Sequence, residues 1–166
     1  EGFGRIAVIS SVLGAGGAAG GIPQLFGADP TGDVTVTPAT IEGALNLGTR
    51  VILQANNDIT VNRPISATGN NVFSDAALVL QAGRSVLINA SITNTNSDAS
   101  GVSVSITAND PAAIAAQRDP GPRAEIRMAP GTTVAGGGVV VMQVLDGAGT
   151  AGGITLGSVS GFNVDV

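Results

Sequence analysis

Histidine, cysteine, lysine, tryptophan and tyrosine are all missing from this chain of 166 residues. That removes imidazole bases, thiolate nucleophiles, Schiff-base lysines, Cys/His zinc sites and disulfides. Aromatic residues amount to 2 %, all of them Phe, so a core built on large rings is excluded. Charged residues are only 11 %, every cation is Arg, and the net charge is −5. Without a basic stripe and interleaved aromatics, neither nucleic acid nor an anionic membrane is an expected partner. Any catalysis would rest on Asp, Glu, Arg, Ser or Thr. A scaffold or binding surface is therefore expected ahead of an enzyme, with no catalytic, cofactor or metal-binding residue assigned.

The length suits a single domain. Absence of Cys fits an exported chain that crosses membranes unfolded without mispairing thiols. Because the sequence starts at Glu1, it reads as a processed product or an excised segment. Residues 6–21, IAVISSVLGAGGAAGG, follow Arg5 and have a faint flavour of a signal peptide. They are Gly-rich and well short of the ~20 apolar residues of a membrane span. They read as structure of the mature chain, and no membrane insertion is expected.

Internal repetition is the strongest signal. VILQANNDITVNRPISATG (51–69) overlays LVLQAGRSVLINASITNTN (78–96) without a gap. Leu53/Leu80, Gln54/Gln81, Ala55/Ala82, Asn62/Asn89 and Ile65/Ile92 are identical, and Val51/Leu78, Ile59/Val86 and Val61/Ile88 are conservative. Within each copy the period is two: Val51, Leu53 and Ala55 point one way, Ile52 and Gln54 the other. Each unit is thus two or three very short strands with corners between them, and it cannot bury its apolar side alone. Stacked, Leu53 lies over Leu80, Ile59 over Val86, Val61 over Ile88 and Ile65 over Ile92. The expected fold is a parallel β-helix, with Asn62 and Asn89 forming an amide ladder at one corner.

VSVSITA (102–108) overlays 76–82, and the C-terminal pieces 124–144 and 152–166 have the same strand–Gly–strand texture. Val34 and Val36 predict a strand, Ile41 to Leu47 a short helix capped near Thr40 and stopped by Gly48, and residues 6–12 an earlier strand pair. Seven or so coils are expected, a rod roughly 30–35 Å tall. The domain divides into an N-terminal coil or cap region (1–32), the best-matching repeats (33–108), an extruded loop (109–123) and the C-terminal coils (124–166).

Two stretches leave the pattern. NTNSDASG (94–101) and NDPAAIAAQRDPGPR (109–123), the latter with a helical turn at 112–117, are expected to project from the wall. They offer Asn96, Asp98, Asp110, Arg118, Asp119 and Arg123 for recognition. Glycoside hydrolysis needs two carboxyls ~5–9.5 Å apart, but Asp58, Asp75, Asp98, Asp110 and Asp119 do not stack at the repeat offset. They read as solvated turn residues. The Gly-rich stretches 14–21 and 136–138 read as tight corners, since the Lys of a phosphate loop is absent. Asn89-Ala90-Ser91 matches a glycosylation acceptor. Outward Ile52, Val79 and Leu87 form an apolar strip. Phe162, Val164 and Val166 end the chain without a polar cap, a surface for end-to-end stacking.

VTPATIEGALNLGTRVILQANNDITVNRPISATG, with ALVLQAGRSVLINASI, ITLGSVSG and APGTTV, resembles the filamentous-haemagglutinin-like exoproteins of bacterial two-partner secretion. The likeness rests on Thr40–Leu45 and Gln54–Asn62 and covers residues 33–108 best. The resemblance implies an all-β, right-handed parallel β-helix, a shaft segment that is secreted or held on the bacterial outer cell surface. Its implied role is non-enzymatic adhesion or a surface fibre, and it implies no catalytic residues. The family's Asn-Pro-Asn-Gly-Ile type secretion motif is absent. Expected partners are other copies, adjoining coils of a longer chain, or host and environmental glycans or proteins. The alternatives are a polysaccharide-binding or -cleaving β-helix and a self-assembling extracellular filament subunit.

Overall fold

The computed structural model describes residues 25–27, 33–68, 76–95, 101–121 and 123–166, and the backbone of 6–8 and 18–19. The expected β-helix is the fold. In the first coil, β4 (Val51–Ala55), β5 (Ile59–Val61) and β6 (Ile65–Ala67) turn through two polar corners. The next coil repeats this with β7 (Ala77–Ala82), β8 (Val86–Ile88) and β9 (Ile92–Asn94). The third holds β10 (Ser103–Ala108), β11 (Ala124–Met128) and β12 (Thr133–Ala135). The fourth holds β13 (Val139–Val144), β14 (Ala151–Thr155) and β15 (Ser158–Ser160), followed by β16 (Asn163–Asp165). All pairings are parallel, giving three sheets: β4-β7-β10-β13-β16, β6-β9-β12-β15, and a third through β5-β8-β11-β14.

Every expected stack forms in register. Leu53 pairs with Leu80, Ile59 with Val86, Val61 with Ile88 and Ile65 with Ile92. The columns run on as Leu53–Leu80–Ile106–Met142 and Ile65–Ile92–Val134–Val159. These side chains are buried up to the fourth coil, so the core is the lumen of the solenoid itself. Alternation puts one face of each strand there, and stacking does the burying. Val104 and Ile106 sit on Leu78 and Leu80 as expected. On the outside, Ile52 does stack on Val79, but Val79 is buried whereas Ile52 and Leu87 are half-buried.

The coil count is a correction: there are about four coils rather than seven, and the first sheet's five strands span about 20 Å at ~4.8 Å spacing, while the seven-stranded sheet spans about 29 Å, near the expected height. The N-terminal strands add no full coils: β1 (Ile6–Val8) lies between β5 and β3 (Val34–Val36), with β2 (Ala18–Ala19) outside β3, all in one sheet. The rest of 6–21 lies outside the described residues.

The helix is α1 (Pro38–Asn46), starting earlier than the expected Ile41 because Thr37 is the cap. Pro38 occupies a first-turn position where its missing N–H costs nothing, and the Thr37 hydroxyl accepts from the Thr40 amide at 3.3 Å. Gly48 does end it. At φ 79° it closes a Schellman turn, with its N–H on Leu45 O (3.0 Å) and that of Thr49 on Ala44 O (3.0 Å). Ile41 and Leu45, one turn apart, are fully buried against the first coil. α1 therefore lies across β4 and β6 as a lid. Glu42 Oε1 accepts from the Ser66 amide (2.7 Å) and Asn46 Oδ1 from the Thr68 amide (2.8 Å), which satisfies edge donors of β6.

Candidate functional site

The corner after β4 is built from polar side chains that stack from coil to coil. Asn56 and Asn57 are buried there, and Asn109 takes their place two coils on at φ 56°. Buried amides need partners, and the 109–121 stretch supplies them. Asn56 Oδ1 accepts from the Ile114 amide (2.9 Å); Asn57 donates to Gln117 O (3.0 Å) and accepts from the Asp119 amide (2.6 Å). The excursion leaves the coil as expected, but it folds back along the corner as a strap instead of projecting freely. Its helical turn is a single 3₁₀ turn, Ala115–Gln117.

A second ladder climbs the outer side of the first sheet. The Phe26 amide donates to Gln54 Oε1 (3.2 Å), Gln54 to Gln81 Oε1 (2.9 Å) and Gln81 to Asp110 Oδ2 (3.0 Å). Asp110 is buried, and its other oxygen accepts from the Ala112 amide (2.8 Å). Its expected recognition role is thus corrected to anchoring the strap. The Asn62–Asn89 ladder forms as expected, with Asn89 donating to Asn62 at 2.9 Å on an exposed corner.

Beside the strap lies an ion cluster. Arg84 grips Asp58 through two guanidinium nitrogens, Nε to Oδ1 at 2.8 Å and Nη2 to Oδ2, and its Nη1 is 3.9 Å from Asp119. The Ser85 amide also donates to Asp58 (3.1 Å). The hydrogen bond that Arg84 donates to Asp58 raises the Arg84 pKa, burial opposes it, and the charges of Asp58 and Asp119 add to the rise. Arg118 differs: desolvation lowers its pKa, nearby Arg84 lowers it further, and Asp58 opposes. Its Nη1 is buried with no hydrogen-bond partner. Asp119 and Arg118 are half-buried parts of the strap, and of the expected 109–123 set only Arg123 is exposed. Asn96, Asp98 and Asp75 lie outside the described residues.

Next to this cluster opens a cleft of about 450 Å³, lined by Asp58, Arg84, Ser85, Leu87, Arg123, Glu125 and Arg127. Stacking creates it. Leu87 and Arg127 are register partners on β8 and β11, both on the outward face, and Ser85 Oγ accepts from the Glu125 amide at 3.2 Å. Arg127 meets Glu125 at 3.1 Å in a half-exposed pair. Among the described residues Arg123 makes no ion pair. By contrast, an apolar void inside the lumen measures only about 10 Å³, no more than one water needs.

No family model, curated protein or solved structure matches this chain. The site is therefore read from its own residues. Among the described residues no group of three or more acidic side chains is placed to hold a metal, and no helix is long and apolar enough to cross a membrane.

Sequence reasoning missed the buried amides and the Arg84–Asp58 pair. A signal existed for both. Ala-Asn at 55–56 and again at 108–109 ends a core strand each time, and Arg84 stands one residue from the position aligned with Asp58. The cleft itself had no linear signal, because residues 58, 84–87 and 123–127 meet only through stacking.

Proposed function

We propose that the chain is a non-enzymatic extracellular β-helical module of the filamentous-haemagglutinin-like kind, a stiff shaft segment that carries recognition on its outer wall. The observation that carries this reading is the continuous register of the β4-β7-β10-β13 sheet through four coils, with one register shift in the third sheet, between β11 and β14. A rod whose inner strands pair above and below resists bending and local opening. The lidded first coil agrees with a mechanical role.

The polysaccharide-cleaving alternative is disfavoured by how the cleft's carboxylates are used. Asp58 is engaged by Arg84 and the Ser85 amide, and Glu125 by Arg127. Hydrolysis of a glycosidic bond needs one carboxyl free to donate a proton and a second placed across the bond. The test is to incubate the purified chain with acidic and neutral polysaccharides and follow new reducing ends and unsaturated products. Beads coated with the chain are tested in parallel for retention on glycan and host-matrix surfaces under flow. The expected result is retention without turnover. Turnover that Asp58→Asn or Glu125→Gln abolishes would overturn the non-enzymatic reading.

A further inference from the structure

We infer that the cleft between β8, β11 and the strap binds a carboxylated sugar, a uronic-acid unit of an acidic glycan. The inference goes beyond the shaft reading and does not rest on it. Four of the chain's seven cations, Arg84, Arg118, Arg123 and Arg127, gather at the strap and cleft of a molecule whose net charge is −5. Such clustering against the overall charge has a local cost, which a structural role repays only for Arg84, locked on Asp58. Arg123 has no ion partner among the described residues. The Arg127–Glu125 pair has side chains 51 % and 40 % exposed, the kind of surface pair worth well under about 1 kcal/mol. A ligand carboxylate can therefore take a guanidinium fork from Glu125 at little cost.

The other lining groups select among anions. Asp58 and Glu125 stand in the same cleft and repel a ligand with closely spaced negative charges, such as a polyphosphate, an acidic peptide or a heavily sulfated chain. A sugar acid brings one carboxylate for the guanidiniums together with several hydroxyl donors for Glu125. Half-buried Leu87 supplies an apolar floor for the ring's C–H face. The cleft's volume lies within the range of small-ligand sites. No aromatic side chain lines it to stack a neutral sugar, so the charge contact must lead.

The test titrates the ¹⁵N-labelled chain with tetragalacturonate, its fully methyl-esterified form, tetra-aspartate and sodium sulfate. Tetragalacturonate should give saturable shifts centred on Leu87, Glu125 and Arg127, and the methyl ester should bind at least about tenfold more weakly. Arg123→Glu and Arg127→Glu, exposed positions whose folding is checked by circular dichroism, should each weaken binding about tenfold. Leu145→Lys, away from the cleft lining, should leave it unchanged. The inference is overturned by any of three results: no saturable binding of tetragalacturonate, equal binding of the ester, sulfate or tetra-aspartate, or binding indifferent to both Arg substitutions. None of these would touch the shaft reading, which stands on retention without turnover.

Discussion

Gly83 sits directly against the backbone of Asn56, one coil away, so closely that a Cβ at residue 83 would fall inside any van der Waals contact with the Asn56 carbonyl oxygen and within 2.6 Å of Ala113 Cβ. The strap closes over this corner, and a side chain would have to displace both the first-coil backbone and the strap. Gly83→Ala is expected to destabilise the chain by about 3 kcal/mol, the upper range of core overpacking. It should also loosen 109–121 in hydrogen exchange. Urea unfolding is the check, and a loss under about 1 kcal/mol would show that the strap yields freely.

Arg84 and Asp58 give a second test. Both side chains are 13 % exposed, so the pair is largely desolvated. The Arg84 pKa is raised, so on the arginine side its contribution is undiminished up to the ordinary arginine range and disappears only as pH climbs through the higher folded value. Alkaline titration therefore cannot release it under usable conditions, and substitution must. Arg84→Met strands Asp58 and should cost about 2 kcal/mol, somewhat less than a fully buried pair would. Arg84→Met with Asp58→Asn should cost less than the single change, since no charge is left unpaired. A double-mutant cycle measures this, and strictly additive losses would mean the two groups do not act as a pair.

The lumen makes the plainest energetic prediction. Leu80 is fully buried between Leu53 and Ile106. Leu80→Ala opens a cavity that a stacked column cannot close by collapsing sideways, and a loss of about 3–4 kcal/mol is expected in chemical denaturation. Leu156→Ala, at an exposed position near the last coil, should cost under about 0.5 kcal/mol. Similar losses at both positions would argue against a continuous core.

How far the sequence could be read depended on what fills the corners. Coils one and two are legible because nothing is inserted between them: Gln54 and Gln81, 27 residues apart, match at zero gap. The third coil begins in register, then the strap enters after Ala108, and the spacing from Thr107 to its neighbour Gln143 becomes 36 residues. A fixed-offset search loses the signal there. Met128 and Met142 fill column positions held by Ile or Leu below them, so the texture changes as well. Seven coils are not reached because β1, β2 and β3 lie in one sheet at one end and complete no coil of their own. The cleft was half legible. Arg123 was singled out for its loop, but Arg127 and Glu125 lie on a strand whose outward face acquires meaning only beside Leu87 and Ser85.

The two ends of the solenoid differ, and that difference governs self-association. At the first coil, α1 covers β4 and β6, and Glu42 and Asn46 occupy edge N–H groups. At the other end β14, β15 and β16 are edge strands, with Phe162, Val164 and Val166 exposed at 74 %, 41 % and 55 %. Growth of a filament from this 166-residue chain needs a head-to-tail contact that repeats, and on the lidded face α1 covers β4 and β6, leaving β2 as the edge strand of one sheet alone. Association through the open face alone closes on itself as a pair. Sedimentation velocity on this chain should therefore show nothing larger than two copies, with Val164→Lys shifting the population to single rods. Removing the lid's acceptors with Glu42→Ala and Asn46→Ala should expose the Ser66 and Thr68 amides and permit longer species. Filaments formed by the unaltered chain would show that α1 does not block stacking, and the filament-subunit reading would then replace the shaft.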